Sequence, residues 1–218
     1  MNIYYIIAFF ILGTILGSFY NVVGFRLPKD ESILKPAHSY CDNCKHQLGF
    51  TSLIPIFSYL FQGGKCKYCK AKISLFYPFI ELLTGALFAV SYYSFGFTPD
   101  LFISLSLVSL FSIVIVSDLN YLMIPDEVTL ITGLVIAISI FFRDHSEVLL
   151  KSIGSGILLF VIMYGIMLLG DFLFKRESLG GADIKLMFIA GLVLGPILGV
   201  FVIFVSSVVA LPVSILLY

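Results

Sequence analysis

Charge is scarce in this sequence. Of its 218 residues only 12% are Asp, Glu, Lys or Arg and 60% are hydrophobic, whereas a soluble domain carries roughly 25% charged residues. A chain of about 200 residues leaves much of its surface in water and cannot hide that much apolar area in one soluble core. With a mean hydropathy of +1.07, the composition is that of a membrane protein. Thirteen basic residues balance thirteen acidic ones, so the excess positive charge that marks a nucleic-acid partner is missing as well. HExxH, GxSxG, Walker A and GxGxxG patterns are all absent, which removes support for zincin, serine hydrolase, NTPase or Rossmann chemistry. There is no low-complexity tract and no repeat of fixed period. The N-terminus lacks the basic n-region and A-x-A site of a cleaved signal, so residues 3–23 read as a retained helix.

What the sequence has in abundance is long apolar runs. Seven lie at about 3–23, 76–96, 101–117, 127–142, 153–173, 184–195 and 197–218, against the roughly 20 residues that cross a bilayer core. The expected fold is therefore an all-α polytopic membrane protein with about seven transmembrane helices. Gly191, Gly195 and Pro196 interrupt the last stretch, so its two runs read as a broken pair or as a re-entrant element followed by an ordinary helix.

Eight of the thirteen basic residues fall between the first two runs: Arg26, Lys29, Lys35, Lys45, Lys65, Lys67, Lys70 and Lys72. If that segment is cytoplasmic, Lys175, Arg176 and Lys185 fall inside too, and only Arg143 and Lys151 fall outside. Positive charge accumulates on the cytoplasmic side of membrane proteins, so this orientation is the expected one. The chain then divides into a first helix (1–23), a cytoplasmic insertion (24–75) and a membrane body (76–218).

The insertion holds all four cysteines. Cys41 and Cys44 form one CxxC pair, Cys66 and Cys69 another, and 21 residues separate the pairs. This spacing suits two knuckles that give four thiolates to a tetrahedral zinc ion, and four protein ligands leave no open position, so the zinc would be structural. A redox pair or two local disulfides are the alternatives, which a reducing cytoplasm opposes. His38 and His46 read as bystanders, although either could replace a cysteine, and His145 as solvated loop.

Ionisable groups in or beside apolar spans are functional candidates. Asp118 ends the third run and Asp183 opens the sixth, both at the expected cytoplasmic rim. Two carboxylates brought close together share a proton, leaving one as base for a water and the other as acid toward a carbonyl oxygen. The bland alternative is that each aspartate caps a helix. That reading is preferred for Asp126 and Glu127, which follow Pro125 at a helix start. Glu81 lies about a turn inside the second run, as a buried partner for a hydroxyl or basic group or in some other role, and Lys185 reads as a snorkelling residue.

Further motifs run in order along the chain: Gly17-Ser18-Phe19, Asn21-Val22-Val23, Arg26-Leu27-Pro28, the two CxxC pairs, Ile54-Pro55, Ser58-Tyr59-Leu60, Gly64-Lys65-Cys66, Ile73-Ser74, Tyr77-Pro78 and Glu81-Leu82-Leu83-Thr84-Gly85. In this order they resemble one family, the bacterial type IV prepilin peptidases, also called prepilin leader peptidase/N-methyltransferases, across about residues 13–195. The resemblance implies a GxGD-type membrane aspartic protease whose first catalytic aspartate is Asp118, upstream of Ile124-Pro125-Asp126, and whose second is Asp183. Such an enzyme of the bacterial cytoplasmic membrane would cut the basic leader from prepilins or pseudopilins at the cytoplasmic face, after a glycine. Many members also methylate the new N-terminus, usually a phenylalanine, with S-adenosylmethionine, a function associated with the N-terminal cytoplasmic segment. A Gram-positive competence peptidase is one subtype the resemblance admits.

Two departures stand out. The motif reads Gly180-Gly181-Ala182-Asp183, with alanine in place of the second glycine of GxGD. Family members usually continue into a further membrane segment with a Gly-Pro motif, whereas this sequence stops at Leu216-Leu217-Tyr218 and reads as naturally short or truncated. The competing expectation from another class is a nonenzymatic membrane assembly or transport protein whose zinc loop binds a partner. In it, Asp118 and Asp183 would lie far apart, or replacing either would leave function intact.

Overall fold

A computed structural model of the chain describes residues 2–33, 38–41, 43–175 and 180–217. Lys35 and Arg176, counted above among the cytoplasmic charges, lie outside the described residues, as do Asp42 within the first CxxC pair and the terminal Tyr218. The fold is all-α. Helix α1 (Ile3–Arg26) runs into a short 3-10 turn at Leu27–Lys29, and the insertion contributes only a second such turn (Phe50–Ser52) and the five-residue α2 (Phe57–Phe61). Then come α3 (Phe76–Phe95), α4 (Pro99–Tyr121), α5 (Asp126–Phe174) and α6 (Gly181–Leu217). Strand pairing among the described residues is confined to two isolated bridges.

Five helices among the described residues are long and apolar enough to cross a membrane, where the sequence suggests about seven spans. The difference comes from α5 and α6. At 49 residues α5 would be about 73 Å long if straight, more than twice the roughly 30 Å hydrocarbon core. It is not straight, because His145 sits at φ 67°, ψ −174° and divides it into arms 126–144 and 146–174. In α6 the break falls at Gly195 (φ 77°, ψ 180°), immediately before Pro196. Glycine adopts that φ without steric cost, and the following proline has no N–H to continue the helical ladder. At His145 a single residue thus does the work that the sequence assigns to a loop, and at Gly195 it breaks the stretch where the sequence reads an interruption.

The chain forms two compact units, one ending at Val128 and one beginning at Thr129. In the first, α1 packs mainly on α3, and α4 joins both. Bilayer lipid is as apolar as leucine, so such helices associate through close backbone approach and interhelical hydrogen bonds rather than by escaping water. Small residues on α1 supply the approach: a Cβ on Gly13 would lie 2.8 Å from the Gly85 Cα, and one on Gly17 would lie 2.9 Å from the Glu81 Cα. Hydroxyls supply the bonds, with Tyr20 to Ser109 at 2.6 Å, Thr84 to Ser112 at 3.0 Å and Ser104 to Ser91 at 2.7 Å. Because the atom facing Gly13 belongs to backbone, Gly13→Ala should cost about 1–3 kcal/mol, the usual price of overpacking, and should appear as a lowered thermal midpoint in detergent with no change of metal content.

In the second unit, the first arm of α6 packs on the second arm of α5 by the same device. A Cβ on Gly191 would lie 2.7 Å from the Ser155 carbonyl oxygen.

Candidate metal cluster, cavity and carboxylates

Each CxxC pair opens a tight turn, and the two turns repeat one geometry. The Cys41 N–H donates to the His46 carbonyl at 3.0 Å and the Lys45 N–H to the Cys41 carbonyl at 2.8 Å. In the second turn, Cys66 N–H to Ala71 is 2.8 Å and Lys70 N–H to Cys66 is 3.0 Å. The bridges Tyr40–Gln47 and Lys65–Lys72 close the two turns at equivalent places. Both Lys45 and Lys70 take a positive φ, 54° and 59°. Sequence reading found the cysteines but missed this repeat. Its one signal is the lysine that follows each second cysteine.

The turns face each other, so all four sulfurs lie within 4.8 Å of one another and Cys41 Sγ is 3.8 Å from Cys69 Sγ. A tetrahedral ion with metal–sulfur bonds of about 2.3 Å needs sulfurs about 3.8 Å apart. None of the four is in a disulfide, and the cluster can hold a metal ion. The thiols are not equivalent. The Ala71 N–H donates to Cys69, outweighs desolvation, and with the Asn43 amide draws that thiol down to about 6. At Cys44 the His46 N–H pulls the same way, but desolvation and the hydrogen bonds with Cys69 and Cys41 prevail and push it up to about 11. His46 lies tilted against the Tyr68 ring and is not among the clustered ligands.

Between these turns and the adjoining ends of α1, α3 and α4 lies a cavity of about 550 Å³, whose walls include Arg26, Tyr40, Lys72 and Tyr121. Glu81 lies in its wall, only 8% exposed. Its carboxylate accepts the Ile56 N–H at 2.7 Å and the Ser18 hydroxyl. Ile56 is held at φ 63°, ψ −53°, inside a γ-turn closed by the Phe57 N–H on the Pro55 carbonyl at 2.6 Å. A β-branched residue at that φ is strained. Asn21, 3% exposed, donates to the Tyr77 carbonyl at 3.3 Å. Its Oδ1 and the Ser52 Oγ are buried without a partner among the described residues, and both residues line this cavity. Besides Cys41 and Cys66, which also line it, the sequence marked only Glu81 in this environment as a candidate. Ser18, Asn21 and Ile54-Pro55 carried the resemblance but no role.

Asp118 lies exposed in the last turn of α4, where Leu122 ends the helix in a left-handed conformation with its N–H on the Asp118 carbonyl at 2.9 Å. A carboxylate there faces the negative end of the helix dipole, so capping does not account for it. Three residues on, Tyr121 meets Phe25 edge to face and sits under the Lys29 ammonium. Asp118 is thereby at the same end of the first unit as the cysteine turns. Asp183 is in the second unit, exposed in the first turn of α6, and its N–H reaches the Gly180 carbonyl at 3.2 Å. Asp126 and Glu127 occupy the first turn of α5, as the capping reading expects.

Residues 11–95 match the bacterial peptidase A24 N-terminal domain and residues 105–215, half of the chain, match the type IV leader peptidase family. The chain belongs to the type IV leader peptidase family. Among similar proteins, the prepilin leader peptidase/N-methyltransferase of Bacillus subtilis is 38% identical over 85% of this chain and 72% of its own length. That of Myxococcus xanthus is 37% identical over 84% of this chain and 54% of its own length. That of Vibrio cholerae is 31% identical over 96% and 85%. No solved structure matches the chain. As a type IV leader peptidase with several long apolar helices, it is a multi-pass membrane protein.

Proposed function

We propose that this protein is an aspartic endopeptidase of the bacterial inner membrane that removes the basic leader from type IV prepilins or pseudopilins at the cytoplasmic face and then N-methylates the new N-terminus. The observation that carries the reading is the match of both halves of the chain to relatives whose names join these two activities. The division of labour follows residues 1–23 as a first anchor, 24–75 as the methyl-transfer segment and 76–218 as the peptidase body. Asp118 and Asp183 activate water and polarise the scissile carbonyl, with protonation belonging to the pair. The site needs water, so it sits at the membrane boundary, where the substrate's apolar helix stays in lipid and its leader in the cytoplasm.

Cys41, Cys44, Cys66 and Cys69 hold a structural zinc ion, a fit supported by the sulfur spacing. S-adenosylmethionine supplies the methyl group when bound, and a cavity of about 550 Å³ is within the usual size range for small-molecule sites.

Two experiments test this reading. Co-expression with a prepilin followed by mass spectrometry should show loss of the leader and a gain of one methyl group. An uncleaved prepilin would overturn the proposal. For orientation, a reporter fused after Lys70 should read as cytoplasmic and one near Asp144, beside the break in α5, as external. The opposite pair would invert the topology and with it the reduced state of the cysteines.

A further inference from the structure

We propose that the cavity beneath the cysteine turns receives the α-ammonium of the freshly cut N-terminus, and that Glu81 is the base that removes its proton for methyl transfer. The inference rests on the methylation reading above and adds the acceptor site and its catalytic group.

Arg26, Lys29 and Lys72 line this cavity, but the Glu81 carboxylate itself receives few donors. Glu81 is buried, its carboxylate meets one backbone N–H and one hydroxyl, and no cation pairs with it among the described residues. Desolvating an anion without a counter-charge in contact is costly, so the position beside this carboxylate is suited to a ligand group that brings positive charge. Asn21 Oδ1 and Ser52 Oγ add two further buried oxygens without partners among the described residues, and an ammonium offers three donors. The strained Ile56 fixes the carboxylate from the loop side. Residues held in such conformations persist where the surroundings over-determine them, often at ligand clamps.

Geometry also says which cation. Tyr121 lines the cavity, and Asp118 precedes it by three residues, about 4.5 Å along the helix axis. An N-terminus released beside Asp118 therefore emerges next to the chamber. The charged groups around it, Arg26, Lys29, Glu31 and Lys72, also line the cavity, together with the titratable Tyr40, Tyr59, Tyr77, Tyr121, Cys41 and Cys66.

Chemically the step balances. Glu81 accepts one proton from the α-ammonium, and the freed nitrogen lone pair forms the new N–C bond. The S–CH₃ bond of the sulfonium donor breaks with its electron pair kept by sulfur, giving a neutral thioether and a secondary ammonium.

The test uses the full chain in detergent, S-adenosylmethionine, and a pilin whose leader has already been removed. Glu81→Gln should slow methyl transfer about 100-fold at pH 6.5, a usual size for general-base catalysis. The deficit should shrink at least tenfold by pH 9, because a free α-amine with an ordinary pKa of about 7.7–8.0 arrives deprotonated there. The variant-to-wild-type ratio cancels the titration of the groups common to both. Glu81→Asp, which keeps a carboxylate, should retain most activity at pH 6.5. Dialysis binding of labelled S-adenosylmethionine should stay within threefold of wild type in both variants. A ratio that is flat with pH, equal losses in Gln and Asp variants, or lost donor binding would assign Glu81 to structure and overturn the inference. A wild type that cleaves prepilin but transfers no methyl group would bring down the methylation reading itself.

Discussion

Asp118→Asn and Asp183→Asn are each expected to abolish leader cleavage while the protein still inserts and binds its metal. Asparagine keeps the size of the side chain and removes the group that exchanges a proton, so the loss should be on the order of 10⁴-fold or more, the scale seen when one member of a catalytic unit is removed. Such units are strongly non-additive, and the double variant should be scarcely worse than either single one. The two positions carry different prior weight. Asp183 is in the first turn of α6, where a carboxylate is favourable without any catalysis. Asp118, in the last turn of α4, has no such excuse. Asp126→Asn serves as the control: a first-turn carboxylate at the start of α5 should cost on the order of 1 kcal/mol or less and leave cleavage intact. Cleavage assayed on a prepilin in membranes decides the matter. Substantial activity in either dyad variant would falsify the mechanism, and inactivity of Asp126→Asn alone would move the first catalytic role to that residue.

The helical class and the clustering of the four cysteines were legible because each rests on a strong local signal. Apolar run length gives spans directly, and two CxxC pairs can bring four sulfurs together only in a few ways. The spans merged because one non-helical residue, His145 or Gly195, is all that breaks each long helix, where the polar run around His145 and the Gly195-Pro196 pair read as longer interruptions. The cavity was not legible at all. Its wall joins Ser18 on α1, Leu53 in the insertion and Glu81 on α3, positions far apart in the chain, and the decisive contact is the Ile56 N–H on Glu81, whose direction depends on a γ-turn. Apolar periodicity reports which face is buried. It does not report which buried carboxylate meets which amide.

Cys66→Ser is expected to release the metal and to abolish methyl transfer while sparing much of leader cleavage. The reason lies in what holds the insertion together. Between residues 30 and 75, Cys66, 2% exposed, is the one buried hydrophobic side chain among the described residues, and regular structure there amounts to α2, one 3-10 turn and two bridges. So small a core cannot offset the entropy of ordering these turns, whereas a structural zinc ion contributes roughly 10–16 kcal/mol. Losing one thiolate should therefore take the metal from about one per chain to near none and make the segment sensitive to protease. The cavity should open at the same time, because Cys41, Cys66, Tyr40 and Lys72 wall it. Methyl transfer should drop more than 100-fold, the scale of a lost catalytic constellation, while Asp118 and Asp183 stand on the long helices α4 and α6, outside the insertion. Acid should mimic the substitution. Metal binding needs thiolates, so protons compete for the ligands and affinity falls as pH falls, first at the cysteines hardest to deprotonate, such as Cys44 at about 11 in the metal-free cluster. Zinc released to a chromogenic chelator during stepwise acidification, set against parallel assays of cleavage and methylation, measures all three. Retained zinc in Cys66→Ser would rule out the four-thiolate site, and equal loss of both activities in a folded protein would make the insertion part of the protease.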